Sequence, residues 1–154
     1  MPLDLCANAA AAVRRYIGAD DSRPETWYTN TQDIYDATLS PRPAHGPCGM
    51  VQLYHHATLW ALRQHPRVDA CFAYVYGTER LYVTCDRAHF KPPQSAAHPA
   101  WSDAGPVHSG LHWDVDVKNT PVPFSVQGVV YLEDTMTETG ALRVVPSCRG
   151  RLGL

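Results

Sequence analysis

Prolines and glycines cut this chain into pieces too short for a helical bundle. Thirteen Pro and ten Gly are spread over 154 residues, and the apolar runs between them are short. Each proline fixes one backbone dihedral and removes one donor, so regular elements stop at or near it. The expected fold class is α+β with many connections. The length suits about one domain, and it is enough to bury a real core. The net charge of -2, with 13 Lys and Arg scattered along the chain, points to neither nucleic acid nor an anionic membrane surface. The five cysteines, Cys6, Cys48, Cys71, Cys85 and Cys148, form no Cys-x-x-Cys pair, which fits reduced thiols over a disulfide frame or zinc knuckle. No run approaches the roughly 20 apolar residues of a membrane span. The alanine-rich N-terminus lacks a signal-peptide layout, so a cytoplasmic protein is expected.

The first 77 residues read as a mainly helical support region. Asp4 can cap a helix over 5–17, with Leu5, Ala9, Ala12, Val13 and Tyr16 on one face and Gly18 as its stop. Residues 18–48 are irregular, although Trp27, Tyr28, Ile34 and Tyr35 call for burial. A second helix is expected over 50–64, on a stripe of Met50, Leu53, Tyr54, Ala57 and Ala61. Its adjacent His55 and His56 face different directions and suit the surface better than a metal. A third helix runs from Pro66 to Tyr76 and ends at Gly77.

Strands follow. The β-branched and aromatic run 81–85 is one, and in the stretch that follows it Pro92-Pro93 stops any regular element. A second runs over 111–117, the longest over 124–132, and a returning strand over 141–145. On the second, His112, Asp114 and Asp116 alternate onto one face. An imidazole and a carboxylate two residues apart can reach one divalent metal, as in the 2-His-1-carboxylate arrangement of Fe(II) oxygenases. A His-x-Asp triplet alone is weak, because 8 histidines among 154 residues often meet an aspartate by chance. HExxH, P-loop, GxGxxG and GxSxG signatures are absent.

The surrounding order is more specific. Gly110-Leu111-His112-Trp113-Asp114-Val115-Asp116 is followed by Val126-Gln127-Gly128-Val129-Val130-Tyr131-Leu132-Glu133-Asp134-Thr135. Then comes Thr139-Gly140-Ala141-Leu142-Arg143-Val144-Val145-Pro146-Ser147. This succession resembles the phytanoyl-CoA dioxygenase family of Fe(II)- and 2-oxoglutarate-dependent oxygenases. The resemblance implies a double-stranded β-helix (jelly roll) over 78–147, with His112 and Asp114 as iron ligands and 2-oxoglutarate as cosubstrate. The expected reaction is hydroxylation of a small or lipid-like organic substrate. Gln127 is either a pocket or cosubstrate contact or an inward amide bonded to backbone. Arg87 and Lys91 are either cations for a cosubstrate carboxylate or exposed charges ending a strand. Asp116 is expected either beside the metal ligands or solvated, not on the metal.

The chain also departs from that family. The family's third ligand is a later histidine, followed by an arginine for the cosubstrate, and no histidine follows His112. Where the family continues Gly-Ser-His, this chain reads Ser147-Cys148-Arg149-Gly150, opening a divergent tail over 148–154. About four strands replace the roughly eight of a jelly roll. The resemblance therefore implies a single partial domain, C-terminally truncated, with weak metal binding and little turnover. His98 and His108 are the only histidines placed to complete a site in trans. The contrasting expectation is a non-catalytic fragment or interaction module, stabilised by a partner chain or by self-association through open sheet edges.

Overall fold

A computed structural model describes residues 1–28, 49–93, 95–98, 118 and 124–144. Among these residues three α-helices and one antiparallel strand pair give an α+β fold: α1 (Leu3–Ile17), β1 (Met50–Val51), α2 (Ala57–Arg63), α3 (Pro66–Tyr76) and β2 (Ala88–His89). Short 3-10 turns add Pro24–Tyr28 and Thr137–Thr139. Met50 pairs with His89 and Val51 with Ala88.

Helix α1 forms because apolar and small residues recur at helical spacing. Its buried stripe is Cys6, Ala9, Ala10, Val13 and Ile17. That is one position away from the expected face: Ala12 is only half-buried and Tyr16 is exposed. Small Cys6 and Ala9 pack against Leu59 and Leu62 of α2, whereas the Tyr16 hydroxyl gains from water. Pro2 stands at the N-cap with no side-chain bond, so Asp4 acts only as an acidic first-turn residue suited to the dipole. Gly18 closes the helix in the left-handed region as expected, and Arg14 and Arg15 occupy its last turn.

The stripe holds two clusters together. Cys6 and Ala9 pack with Leu59 and Leu62 of α2, and Leu132 joins from the C-terminal segment. Val13 and Ile17 pack with Val51 of β1 and with Phe90 just beyond β2. Leu53 and Ala88 touch both clusters. The single helix expected over 50–64 is therefore two elements. Residues 50–51 are strand, and the helix starts at Ala57 behind His56, whose Nδ1 accepts the Thr58 N–H at 3.3 Å. Gly49 explains the break. Its φ of +73° turns the chain into β1, and its carbonyl accepts the Phe90 N–H at 2.8 Å. A β-carbon on Gly49 would lie 2.9 Å from the Phe90 carbonyl oxygen. Helix α3 has its expected bounds, with Pro66 in its first turn, the His65 side chain accepting the Arg67 N–H, and Gly77 at its end.

The expected strands differ more. Residues 81–85 are largely exposed and form no ladder among the described residues; pairing falls seven residues later, at Ala88–His89. There Ala88 and Phe90 have a core to enter, which Tyr82, at 88 % exposure, does not. Segments 124–132 and 141–144 are likewise without ladder bonds among the described residues, and the strand expected over 111–117 lies outside those residues. Segment 124–132 rests instead on α3. The Val126 N–H donates to the Tyr76 hydroxyl at 3.2 Å, and Phe124 meets the Tyr76 ring edge-on at 5.4 Å. The Arg14 guanidinium donates to both Glu133 oxygens, at 2.6 and 2.7 Å, tying that segment to α1.

No helix among the described residues is long and apolar enough to cross a membrane. Placement of the core is testable. Leu59→Ala is expected to cost about 2–5 kcal/mol in urea unfolding, and Tyr82→Ala no more than about 0.5 kcal/mol. Equal costs would contradict the core described.

Candidate functional site

Arg87, His89 and Lys91 lie on and beside β2. Alternation along 87–91 sorts them: Ala88 and Phe90 pack into the core, while Arg87, His89 and Lys91 are exposed. Arg87 stands 3.8 Å from the Asp86 carboxylate through its Nε. The Asp86 oxygen also accepts the Arg87 N–H at 2.7 Å. Lys91 lies against the turn Thr137–Thr139. A β-carbon on Gly140 would fall 2.6 Å from Lys91 Cδ and 3.3 Å from its Cγ and Cε, so the lysine stem crosses that glycine.

His89 sits between the two cations and escaped the sequence reading. It keeps an exposed edge, yet burial of its ring holds its pKa below the ordinary 6.5. Arg87 and Lys91 push the same way, against a smaller pull from Asp86. The signal was present as Arg87-x-His89-x-Lys91, but it shows only when the strand is placed at 88–89. Arg63 supports the approach to β2: it donates to the carbonyls of Tyr54 (2.7 Å) and Asp86 while lying 5.2 Å from the Trp60 ring centroid.

The other expected site residues separate from this group. Gln127 is exposed, on the segment that packs against α3 through Gly128 and Phe72. His112, Asp114 and Asp116 lie outside the described residues, as does His108. His98 stacks on Tyr28 with ring centroids 4.1 Å apart, and the Tyr28 hydroxyl donates to the Pro93 carbonyl at 2.9 Å. Among the described residues no group of three or more His, Cys, Asp or Glu side chains is placed to hold a metal ion.

A second polar cluster closes the C-terminal end of α1. The Asp20 carboxylate accepts from the Ser22 hydroxyl at 2.6 Å, the Ser22 N–H at 2.9 Å and Arg23 Nε at 2.9 Å. These bonds, the Ser22 hydroxyl first, hold its pKa at about 2, below the ordinary 3.8. It is a turn-forming device, since the Asp20 carbonyl also receives the Trp27 indole N–H at 3.1 Å.

No protein-family model, curated protein or solved structure matches the chain.

The lowered His89 pKa sets a pH dependence. The fold favours the neutral ring, so its contribution is complete above the unfolded pKa near 6.5. It is lost as pH falls from there toward the lower folded value. Urea midpoints measured from pH 8 to 5 should therefore fall less steeply for His89→Gln than for the unaltered chain. Parallel curves would refute this.

Proposed function

We propose that this chain carries the His-x-Asp part of an Fe(II)- and 2-oxoglutarate-dependent oxygenase site of the phytanoyl-CoA dioxygenase type. A jelly-roll arrangement over 78–147 and hydroxylation of a small or lipid-like organic substrate belong to the same proposal. The observation that carries it is the order of three motifs over 110–147: His112-Trp113-Asp114, then 126–135 ending in Glu133-Asp134, then Gly140-Ala141-Leu142-Arg143-Val144-Val145-Pro146.

The donor chemistry fits. One neutral imidazole nitrogen and one carboxylate oxygen are the ligand types that suit Fe(II) while leaving positions open. When bound, the iron and 2-oxoglutarate would supply oxygen-activating chemistry with dioxygen as the oxidant, one oxygen atom ending in succinate as carbon dioxide leaves and the other in the hydroxylated substrate. The chain's own part is to present His112 and Asp114 to the metal. Arg87 and Lys91 offer cations to a cosubstrate carboxylate, and Gln127 an amide to the pocket. With two protein ligands, metal affinity is expected to be low.

Anaerobic titration with Fe(II) in the presence of 2-oxoglutarate tests this. His112→Ala and Asp114→Ala should each weaken iron binding by about tenfold or more, since even supporting groups around a metal cost 10–100-fold. Unchanged iron affinity in both variants would overturn the proposal.

A second reading is favoured by the exposed apolar side chains Phe124, Val129, Tyr131, Leu142 and Val144. It makes the chain a non-catalytic module held by a partner chain. Sedimentation of the purified chain is expected to show association under this reading. A compact, metal-indifferent monomer would contradict it.

A further inference from the structure

The run 124–132 holds the longest strand expected in this chain, and it carries neither charge nor proline. It is anchored along one side. Leu132 joins the core beside α2, the Val126 N–H donates to the Tyr76 hydroxyl at 3.2 Å, and a β-carbon on Gly128 would lie 3.3 Å from the Phe72 ring. These contacts come from even-numbered positions. Ser125, Gln127, Val129 and Tyr131 are exposed, Val129 by 59 %, and Phe124 and Val130 are exposed as well. Among the described residues the run takes part in no backbone ladder. A stretch of strand chemistry that is held in place yet unladdered offers its N–H and C=O groups to an added strand.

The occupant it suits is uncharged and itself strand-forming. The run sets no charge against an acidic or basic segment, a nucleic acid or an anionic membrane, so it gives none of them an electrostatic hold. An identical run meets both conditions. Its residue order also fits an antiparallel pairing about a two-fold axis at Gly128. In that register Ser125 lies opposite Tyr131 of the second copy, and Gln127 opposite Val129. A small side chain meets a large one, no like charges meet, and Gly128 keeps the axis free of side chains. Tyr131 is fixed for this role, since its hydroxyl accepts the Leu142 N–H at 2.7 Å. That bond brings 141–144 alongside, with Leu142 exposed and apolar.

We propose that 124–132 is a self-association site, pairing antiparallel with the same run of a second copy about an axis at Gly128. Naming the chain itself as the partner rests on the partner-chain reading; Gln127 then faces a second copy and not a cosubstrate. One strand pair covers less than a standard interface, so the association is reversible and concentration-dependent.

The test is sedimentation velocity of the full chain from about 1 to 200 µM, where a small interface populates both monomer and dimer. The unaltered chain should shift from monomer to dimer. Gln127→Lys combined with Val129→Lys sets like charges opposite each other on both sides of the axis, and should weaken association about tenfold or more. Gln127→Lys combined with Val129→Glu sets unlike charges opposite and should restore it. A different partner protein gives no such reversal, because the rescue requires both strands to have the same sequence. Tyr74→Lys alters a residue of α3 that is 88 % exposed and should leave association unchanged. Amide exchange over 124–132 should slow as concentration rises, since its ladder bonds exist only in the pair. If the Lys/Lys chain fails to fold, as urea unfolding would show, the exchange measurement on the unaltered chain still decides. Dimerisation without that slowing, or equal effects of the Lys/Lys and Lys/Glu pairs, overturns this inference alone and leaves the partner-chain reading standing. A monomer throughout the range sinks both. Charge-reversible dimerisation together with iron binding that is lost in His112→Ala keeps the pairing and removes the non-catalytic reading.

Discussion

Burial of one helical stripe organises everything else described in this protein. Helix α1 presents Cys6 and Ala9 to α2, and Val13 and Ile17 to the strand pair, so one fifteen-residue element bridges two clusters. A two-stranded ribbon of two residues a side is not stable by itself in water. It persists here because Val51 is fully buried against α1 and because Ala88 touches both clusters. The outward side of β2 inherits its order from that inward anchoring.

The charged contacts are secondary to this packing but not irrelevant. Arg14 reaches both Glu133 and Asp21, linking the end of α1 to the C-terminal segment and to the turn that follows the helix. An isolated exposed pair contributes at most about 1 kcal/mol. A single nitrogen, Nη2, donates to both Glu133 oxygens, while Nε faces Asp21, so the guanidinium bridges the two segments. It sets where 124–133 runs relative to α1, while Leu132 supplies the apolar contact. The same segment brings the turn that ends at Gly140, and so the surface on which Lys91 lies.

How much of this was legible in the sequence depends on whether a local signal had a competitor. Helix α3 had none: Pro66 at the start and Gly77 at the end are sufficient, and its bounds came out as expected. Over 50–64 the residues Met50, Leu53, Tyr54, Ala57 and Ala61 mimic a helical stripe, but Met50 and Val51 are drawn into a strand by the turn at Gly49. A single left-handed glycine and one partner strand outweigh a weak local preference. On α1 the error was smaller. Tyr16 counts as apolar in a periodicity argument, yet its hydroxyl keeps it at the surface while Cys6 and Ala9 fill the contact with α2. The candidate cations were found from charge alone. Their arrangement was not, because strand residues were placed at 81–85, where Tyr82 and Val83 are intrinsically better strand formers than Ala88 and His89.

That shift of register changes the chemistry more than the fold. With pairing at 81–85, Arg87 and Lys91 are charges in a loop and His89 has no distinguishing place. With pairing at 88–89 the alternation fixes all three on the side away from Phe90. His89 then experiences two like charges and a partly buried ring, which is why its proton affinity is lowered.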